Sequence, residues 1–186
     1  MSDVHLFAPY LQRWSVEVAG DPFSTHTSDL LPVCLTGAGP GRPAMIKITR
    51  SLDEQIGGQV LQWWGGEGAA RVYARDEDTG TLLMERAIGS RHLLRMALEG
   101  EDDAVTANIC HVIGQLHAQR CSAPTDQLQS LGQFFRSLAP MAQQEGGLMA
   151  ECAMVADALL SEPREQVVLH GDAHHSNILD FGGRGW

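Results

Sequence analysis

The run Leu169-His170-Gly171-Asp172-Ala173-His174-His175-Ser176-Asn177-Ile178-Leu179 sets an aspartate and an asparagine in the spacing H-x-D-x-x-x-x-N, bracketed by apolar residues. In kinase-type phosphoryl transfer an aspartate accepts the proton of the attacking hydroxyl, and an asparagine later in the same loop helps hold magnesium on the nucleotide phosphates. Asp172 and Asn177 fit those two roles. The competing reading is a hydrogen-bonded loop with no chemistry.

A second candidate lies upstream. Lys47 is the only lysine in the chain, and it sits in the apolar, strand-like run Ala44-Met45-Ile46-Lys47-Ile48-Thr49, where a solvating charge has no use. Glu54, in the helix that follows, is within reach of it. A compact ammonium suits the α and β phosphates of a nucleotide, and a carboxylate on a neighbouring helix holds its flexible stem in place. Asp53 faces away from Glu54 on a helix and Glu67 lies beyond the helix stop; a structural or solvated Lys-Glu pair is the alternative. The connection Gly20-Asp21-Pro22-Phe23-Ser24-Thr25-His26-Thr27-Ser28 offers the hydroxyls of Ser24 and Thr25 and backbone N–H groups to phosphates, although any polar hairpin reads the same way. Leu82-Leu83-Met84-Glu85-Arg86-Ala87 ends a strand, where main-chain groups of Glu85 and Ala87 are placed to meet the edge of adenine; a plain strand end is the alternative.

These residues need elements to hold them. Residues 14–86 read as short strands around one helix: strands at 14–18, 30–35 and 43–49, and a hairpin of 71–74 with 81–85 around Asp76 to Gly80. Ser51 with Glu54 makes a capping box for a helix that buries Ile56, Val60, Leu61 and Trp64 and stops at Gly65-Gly66. The turn Thr36-Gly37-Ala38-Gly39-Pro40-Gly41 leads into a strand and lacks the G-x-G-x-x-G spacing, which excludes a dinucleotide loop. After Ala87 the pattern turns helical, with Val105, Ile109, Val112, Ile113 and Leu116 at helical spacing, and further helices at 128–144 and 148–160. Short strands are expected at 167–169 and 178–181. The fold class is therefore α+β in two lobes: 1–87, a sheet with one helix that binds nucleotide, and 88–186, the first part of a helical lobe that carries the 170–177 loop.

Composition narrows the partners. A formal net charge of -10 over 186 residues leaves no general basic surface, so nucleic acid is not expected. No stretch is apolar for long enough to span a bilayer, and a soluble, cytoplasmic protein is expected. Cys34, Cys110, Cys121 and Cys152 form no C-x-x-C pair and read as free thiols, mostly in the core.

Taken together, these motifs resemble the aminoglycoside and hydroxyurea phosphotransferases, in particular the branch with streptomycin 6-phosphotransferases, over nearly the whole chain. The matching stretches are Lys47, Asp53-Glu54, Trp63-Trp64-Gly65, Gly68-Ala69-Ala70-Arg71, Leu82 to Arg86, Gln115-Leu116-His117-Ala118 and Leu169 to Trp186, the last with the doubled histidine and a D-F-G-x-R-G-W hairpin. The resemblance implies a protein-kinase-like fold, ATP and Mg2+ as cofactors, and transfer of the γ-phosphate to a hydroxyl of a small molecule such as streptomycin or hydroxyurea. Ala173 and Ser176 depart from the family's usual bulkier apolar residue and glycine.

The resemblance also implies a second magnesium ligand, an aspartate at the end of a strand that Trp186 only begins, together with helices that form most of the acceptor pocket. On that reading the helical lobe is incomplete and the chain as it stands transfers little or no phosphate. Asp180-Phe181-Gly182 spells a kinase magnesium motif, but it follows Asn177 too closely for a hairpin between the two ligands, so Asp180 is expected to be structural. Two rivals stay open: a metal-dependent hydrolase built on His170, Asp172, His174 and His175, and a non-catalytic nucleotide-binding remnant of a kinase.

Overall fold

Alternating apolar residues in two eight-residue segments make the centre of the fold. In the computed structural model, which describes residues 4–37, 41–120, 122–162 and 165–186, β3 (Ser28–Leu35) and β4 (Arg42–Thr49) pair antiparallel with Leu31 opposite Ile46 and Val33 opposite Ala44. They are joined by β1 (Val16–Val18), β2 (Phe23–Ser24), β5 (Val72–Arg75) and β6 (Leu82–Glu85) in a six-stranded sheet of order β1-β3-β4-β6-β5, with β2 pairing β3. Side chains alternate across a strand, so the sheet has two unlike faces.

One face buries Leu31, Val33, Ala44, Ile46 and Leu83 with Phe7 and Val16, and α1 (Ala8–Trp14) covers it with Tyr10, Leu11 and Trp14. The other presents Lys47, opposite Leu30 and Leu82, to α2 (Leu52–Trp64). Gly58 lets α2 lie close to that face: a Cβ there would meet the Leu82 methyls at 3.3 and 3.4 Å.

The helix α2 begins at the expected cap, with the Ser51 hydroxyl accepting the Glu54 N–H at 3.3 Å, but the Glu54 carboxylate turns to Lys47 and Thr27 and does not close the expected capping box; the helix ends at Gly65 in a left-handed conformation. It buries Val60 and Trp64, with Ile56 and Leu61 half-buried. The expected hairpin of β5 and β6 is present, irregular between Val72 and Ala74. After it come α3 (Leu93–Leu98) and α4 (Asp102–Leu116), which pack on each other.

The chain divides into two compact units, Met1–Thr125 with Leu169–Trp186, and Asp126–Val168. The second holds α5 (Leu131–Phe134), α6 (Leu138–Glu145) and α7 (Gly147–Ser161), with α6 packed on α7. None of its described residues is buried.

Several expected elements differ. Trp14 ends a helix instead of starting a strand, because Pro9 suits a first helical turn and Ser15 closes α1 in a left-handed conformation. The single helix expected at 128–144 is two, since Pro140 is tolerated in the first turn of α6 but not in the interior of a longer helix. No strand forms at 167–169 or 178–181. Residues 178–181 have no ladder partner and are fixed instead through the Asp180 side chain and by single backbone bonds to Gly89 and Gly185. Among the described cysteines, Cys34, Cys110 and Cys152 are free thiols, but Cys110 and Cys152 are exposed, not core. Cys121 and residues 38–40 of the expected turn lie outside the described residues. No helix among the described residues is long and apolar enough to cross a membrane.

Candidate active site

Lys47 projects from the middle strand toward the first turn of α2, and its Nζ donates to Glu54 Oε2 at 2.6 Å. Both side chains are about three-quarters buried, with 28% and 26% exposure. Thr27 Oγ1 donates to the other Glu54 oxygen at 2.9 Å and so ties the β2–β3 hairpin to the helix. Burial raises the pKa of Glu54, but the hydrogen bond and charge of Lys47, with the Thr27 hydroxyl, outweigh it and hold the carboxyl below its ordinary value.

The hydroxyls of Ser24 and Thr25 have protein partners. Ser24 Oγ donates to Asp29 Oδ1 at 2.7 Å, and Arg50 holds the same carboxylate through Nε at 3.0 Å and through Nη2. Thr25 Oγ1 accepts the Ser28 N–H at 3.1 Å, and Thr25 N donates to Ser28 O at 2.8 Å. Both residues shape the hairpin tip at His26 and Thr27.

At the far end of α2, Trp64 donates its indole N–H to Leu116 O at 3.2 Å and stacks its ring on His170, with centroids 6.2 Å apart and planes 8° apart. From Glu54 to Trp64 the helix rises about 15 Å at about 1.5 Å per residue, so one rigid element links the lysine–carboxylate pair to the start of the 170–177 loop. Desolvation lowers the His170 pKa, Asp172 opposes this and His174 adds to it; the net shift is down. A neutral ring accepts the Asp172 N–H at Nδ1, 3.3 Å away.

Within the loop, the structure brings Asp172 and Asn177 together. Asn177 Nδ2 donates to Asp172 Oδ2 and to Asp172 O, both at 2.9 Å, and Asn177 N donates to His174 O at 2.9 Å. The Asp172 side chain is 76% exposed, with His174 Nε2 3.6 Å from Oδ2. With its amide nitrogen turned to Asp172, Asn177 keeps Oδ1 as the atom with which to ligate a cation. Oxygen donors of this kind suit Mg2+. Among the described residues no group of three His, Cys, Asp or Glu side chains converges to hold a metal, and both His170 and His174 turn Nδ1 to a backbone N–H. This arrangement gives the hydrolase reading no ligand cluster.

The side chain of Glu85 is tied up by Arg184, which binds it through Nε at 3.1 Å and Nη2 at 2.9 Å while also donating to Gly66 O and Ala69 O. Its N–H donates to Arg71 O at 2.8 Å. Ala87 lines a cavity of about 550 Å³ that reaches Leu93, His175, Ser176 and Ile178. Asp180 is buried at 5% exposure and bonded to Arg91. The Trp64–His170 stack and the Arg184 and Arg91 pairs escaped the sequence reading. Their partners lie far apart in the chain, and an arginine in a short hairpin gives no sign of what it will meet.

A lysine–carboxylate pair on a sheet and helix, followed by an Asp–Asn loop, is the layout of a kinase-type phosphotransferase. The chain belongs to the aminoglycoside/hydroxyurea antibiotic resistance kinase family, whose sequence model matches residues 13–186. It is similar to streptomycin 3''-kinase of Klebsiella pneumoniae, 43% identical over 176 residues that cover 95% of this chain and 63% of the relative. Hydroxyurea phosphotransferase of Kitasatospora aureofaciens is 31% identical over 92% of the chain and 51% of the relative. Streptomycin 6-kinase of Streptomyces griseus is 29% identical over 94% and 57%. The chain thus spans between 51% and 63% of the length of these relatives.

Proposed function

We propose that this chain carries the nucleotide and proton-transfer machinery of an ATP-dependent, Mg2+-assisted phosphotransferase that moves the γ-phosphate to a hydroxyl of a small molecule of the streptomycin or hydroxyurea kind, in the cytoplasm where ATP is supplied. The observation that carries this reading is the 2.6 Å Lys47–Glu54 pair on a chain whose 170–177 loop joins Asp172 to Asn177. The working division is kinase-like: residues 1–87 hold the nucleotide and residues 88–186 present the loop.

Each residue then has a task. Lys47 binds the α and β phosphates, and Glu54 with Thr27 fixes its position. Ser24 and Thr25 hold the hairpin tip above the phosphates. The carbonyl of Glu85 and the main chain of Ala87 meet the edge of adenine. Asp172 accepts the proton of the attacking hydroxyl, its carboxylate oriented by Asn177, whose Oδ1 would help hold Mg2+. Bound Mg2+ would supply charge neutralisation on the transferring phosphate, the largest part of catalysis in this class.

The test is ATP consumption dependent on streptomycin or on hydroxyurea. Asp172→Asn is expected to abolish whatever turnover the chain supports, a loss of at least about a hundredfold being the ordinary contribution of a positioned base. Turnover that survives this substitution would overturn the assignment. Nucleotide-induced thermal stabilisation without turnover would favour a nucleotide-binding, non-catalytic role.

A further inference from the structure

We propose that Arg91, Asp180 and Gly89 form a latch that positions Asn177, and with it the metal-facing end of the 170–177 loop, relative to the end of β6. The functional meaning of the latch rests on the phosphotransferase reading above.

The loop is pinned at two places. Its first residue, His170, lies on Trp64. Beyond its last, Ile178 is buried and Asp180 is held by four donors: Arg91 Nε at 2.9 Å, Arg91 Nη2 at 3.1 Å, Arg91 N at 3.2 Å and Gly182 N at 2.9 Å. The Asp180 carbonyl accepts the Gly89 N–H at 2.9 Å. Between the two pins, Gly171 to Ser176 are exposed apart from the half-buried His175, and the loop's bonds are internal.

Three residues span at most about 10 Å, and Ile178 is buried on the way, so the placement of Asp180 limits that of Asn177. Gly89 is required because a Cβ at that position would overlap the Asp180 carboxylate. The Arg91 guanidinium also lies over the Trp186 ring, 4.7 Å from its centroid, a cation–π contact that further restrains the fork. Asp180 is buried but the Arg91 side chain is half exposed, and an ion pair partly in water contributes little to stability of itself. Its use here is geometric: a planar fork accepts one orientation of a carboxylate. Arg91 and Asp180 are thus positioning residues, acting through Asn177.

The experiment is 15N relaxation on the full chain and on Arg91→Lys, Arg91→Met and Asp180→Asn. Order parameters of Ser176 and Asn177 are expected to fall from the rigid range, about 0.85, to below about 0.6 in Arg91→Met and Asp180→Asn. Amides of β3 and β4 stay unchanged, and Arg91→Lys, the mildest variant, lies between. A loop that stays rigid in a folded variant overturns the latch, as does a parallel loosening of the sheet.

A second measurement, ATP affinity with and without Mn2+, reads the function. Arg91→Met is expected to lose about tenfold of the Mn2+-dependent part and to keep the metal-free affinity. An unchanged Mn2+ dependence overturns positioning of the metal ligand. Absence of any ATP affinity in the unsubstituted chain counts against the phosphotransferase reading, and the relaxation data then decide the latch by themselves.

Discussion

At the scale of single residues, two carboxylates are held ionised by opposite kinds of partner. Glu54 answers to one lysine, the proposed phosphate ligand, and a hydroxyl. Glu54→Gln removes the charge that holds Lys47 in position and is expected to weaken ATP binding at pH 7 by about tenfold, measured by calorimetry. Asp180 answers to a guanidinium and backbone N–H groups, and its pKa falls from 3.8 to about 2, with the hydrogen bond from Arg91 as the largest cause.

A depressed carboxyl stabilises the fold above its unfolded pKa and loses that contribution as pH falls toward the folded value. The Asp180 contribution is therefore full above about pH 4 and lost on acidification toward pH 2. Thermal melts between pH 2 and 5 should show a smaller acid-induced loss for Asp180→Asn than for the unsubstituted chain. Lys47 and Glu54 were legible in the sequence because a strand residue and a first-turn helix residue seven apart are brought together by local geometry alone. Arg91 and Asp180, 89 residues apart, were not. Asp180 could be read as structural, but its partner could not be named.

At the scale of elements, α2 is the part whose ends matter most. Ser51 and Gly65 fix where it starts and stops, so Glu54 meets Lys47 at one end and Trp64 meets His170 at the other. Capping signals, glycine stops and apolar periodicity made this helix and the β5–β6 hairpin readable. The helix break before Pro140 was missed because the apolar pattern continues across it, and the absent strands at 167–169 and 178–181 were misread because apolar runs say nothing about a pairing partner. The segment after β6 has its own requirement for glycine. Gly89→Ala must displace the Asp180 carboxylate or shift the backbone, and a melting temperature lower by about 2–4 °C is expected, the effect of about 1 kcal/mol in a chain of this length. A melt within 1 °C of the unsubstituted chain would show that the segment yields without cost.

At the scale of the whole molecule, the two compact units differ in what they bury. The unit of Met1–Thr125 with Leu169–Trp186 holds the sheet, its core and all the proposed site residues. The described residues of the unit Asp126–Val168 bury nothing, and Phe134, Leu148, Met154 and Leu159 stand between 66% and 72% exposed. Few buried contacts mean low local stability. Limited chymotrypsin digestion should therefore cut first within residues 131–159 and leave the bonds after the buried Phe7 and the half-buried Tyr73 intact; early cutting at either would contradict this.

The single lysine gives the molecule an unusual property as a target for enzymes that cleave after lysine. Such an enzyme has one bond to cut, and that bond lies in β4, the middle strand of the sheet, laddered to β3 on one side and β6 on the other. To reach it the sheet must unzip on both sides. The appearance of two fragments, 1–47 and 48–186, is then a clock for opening of the sheet that fraying elsewhere does not start.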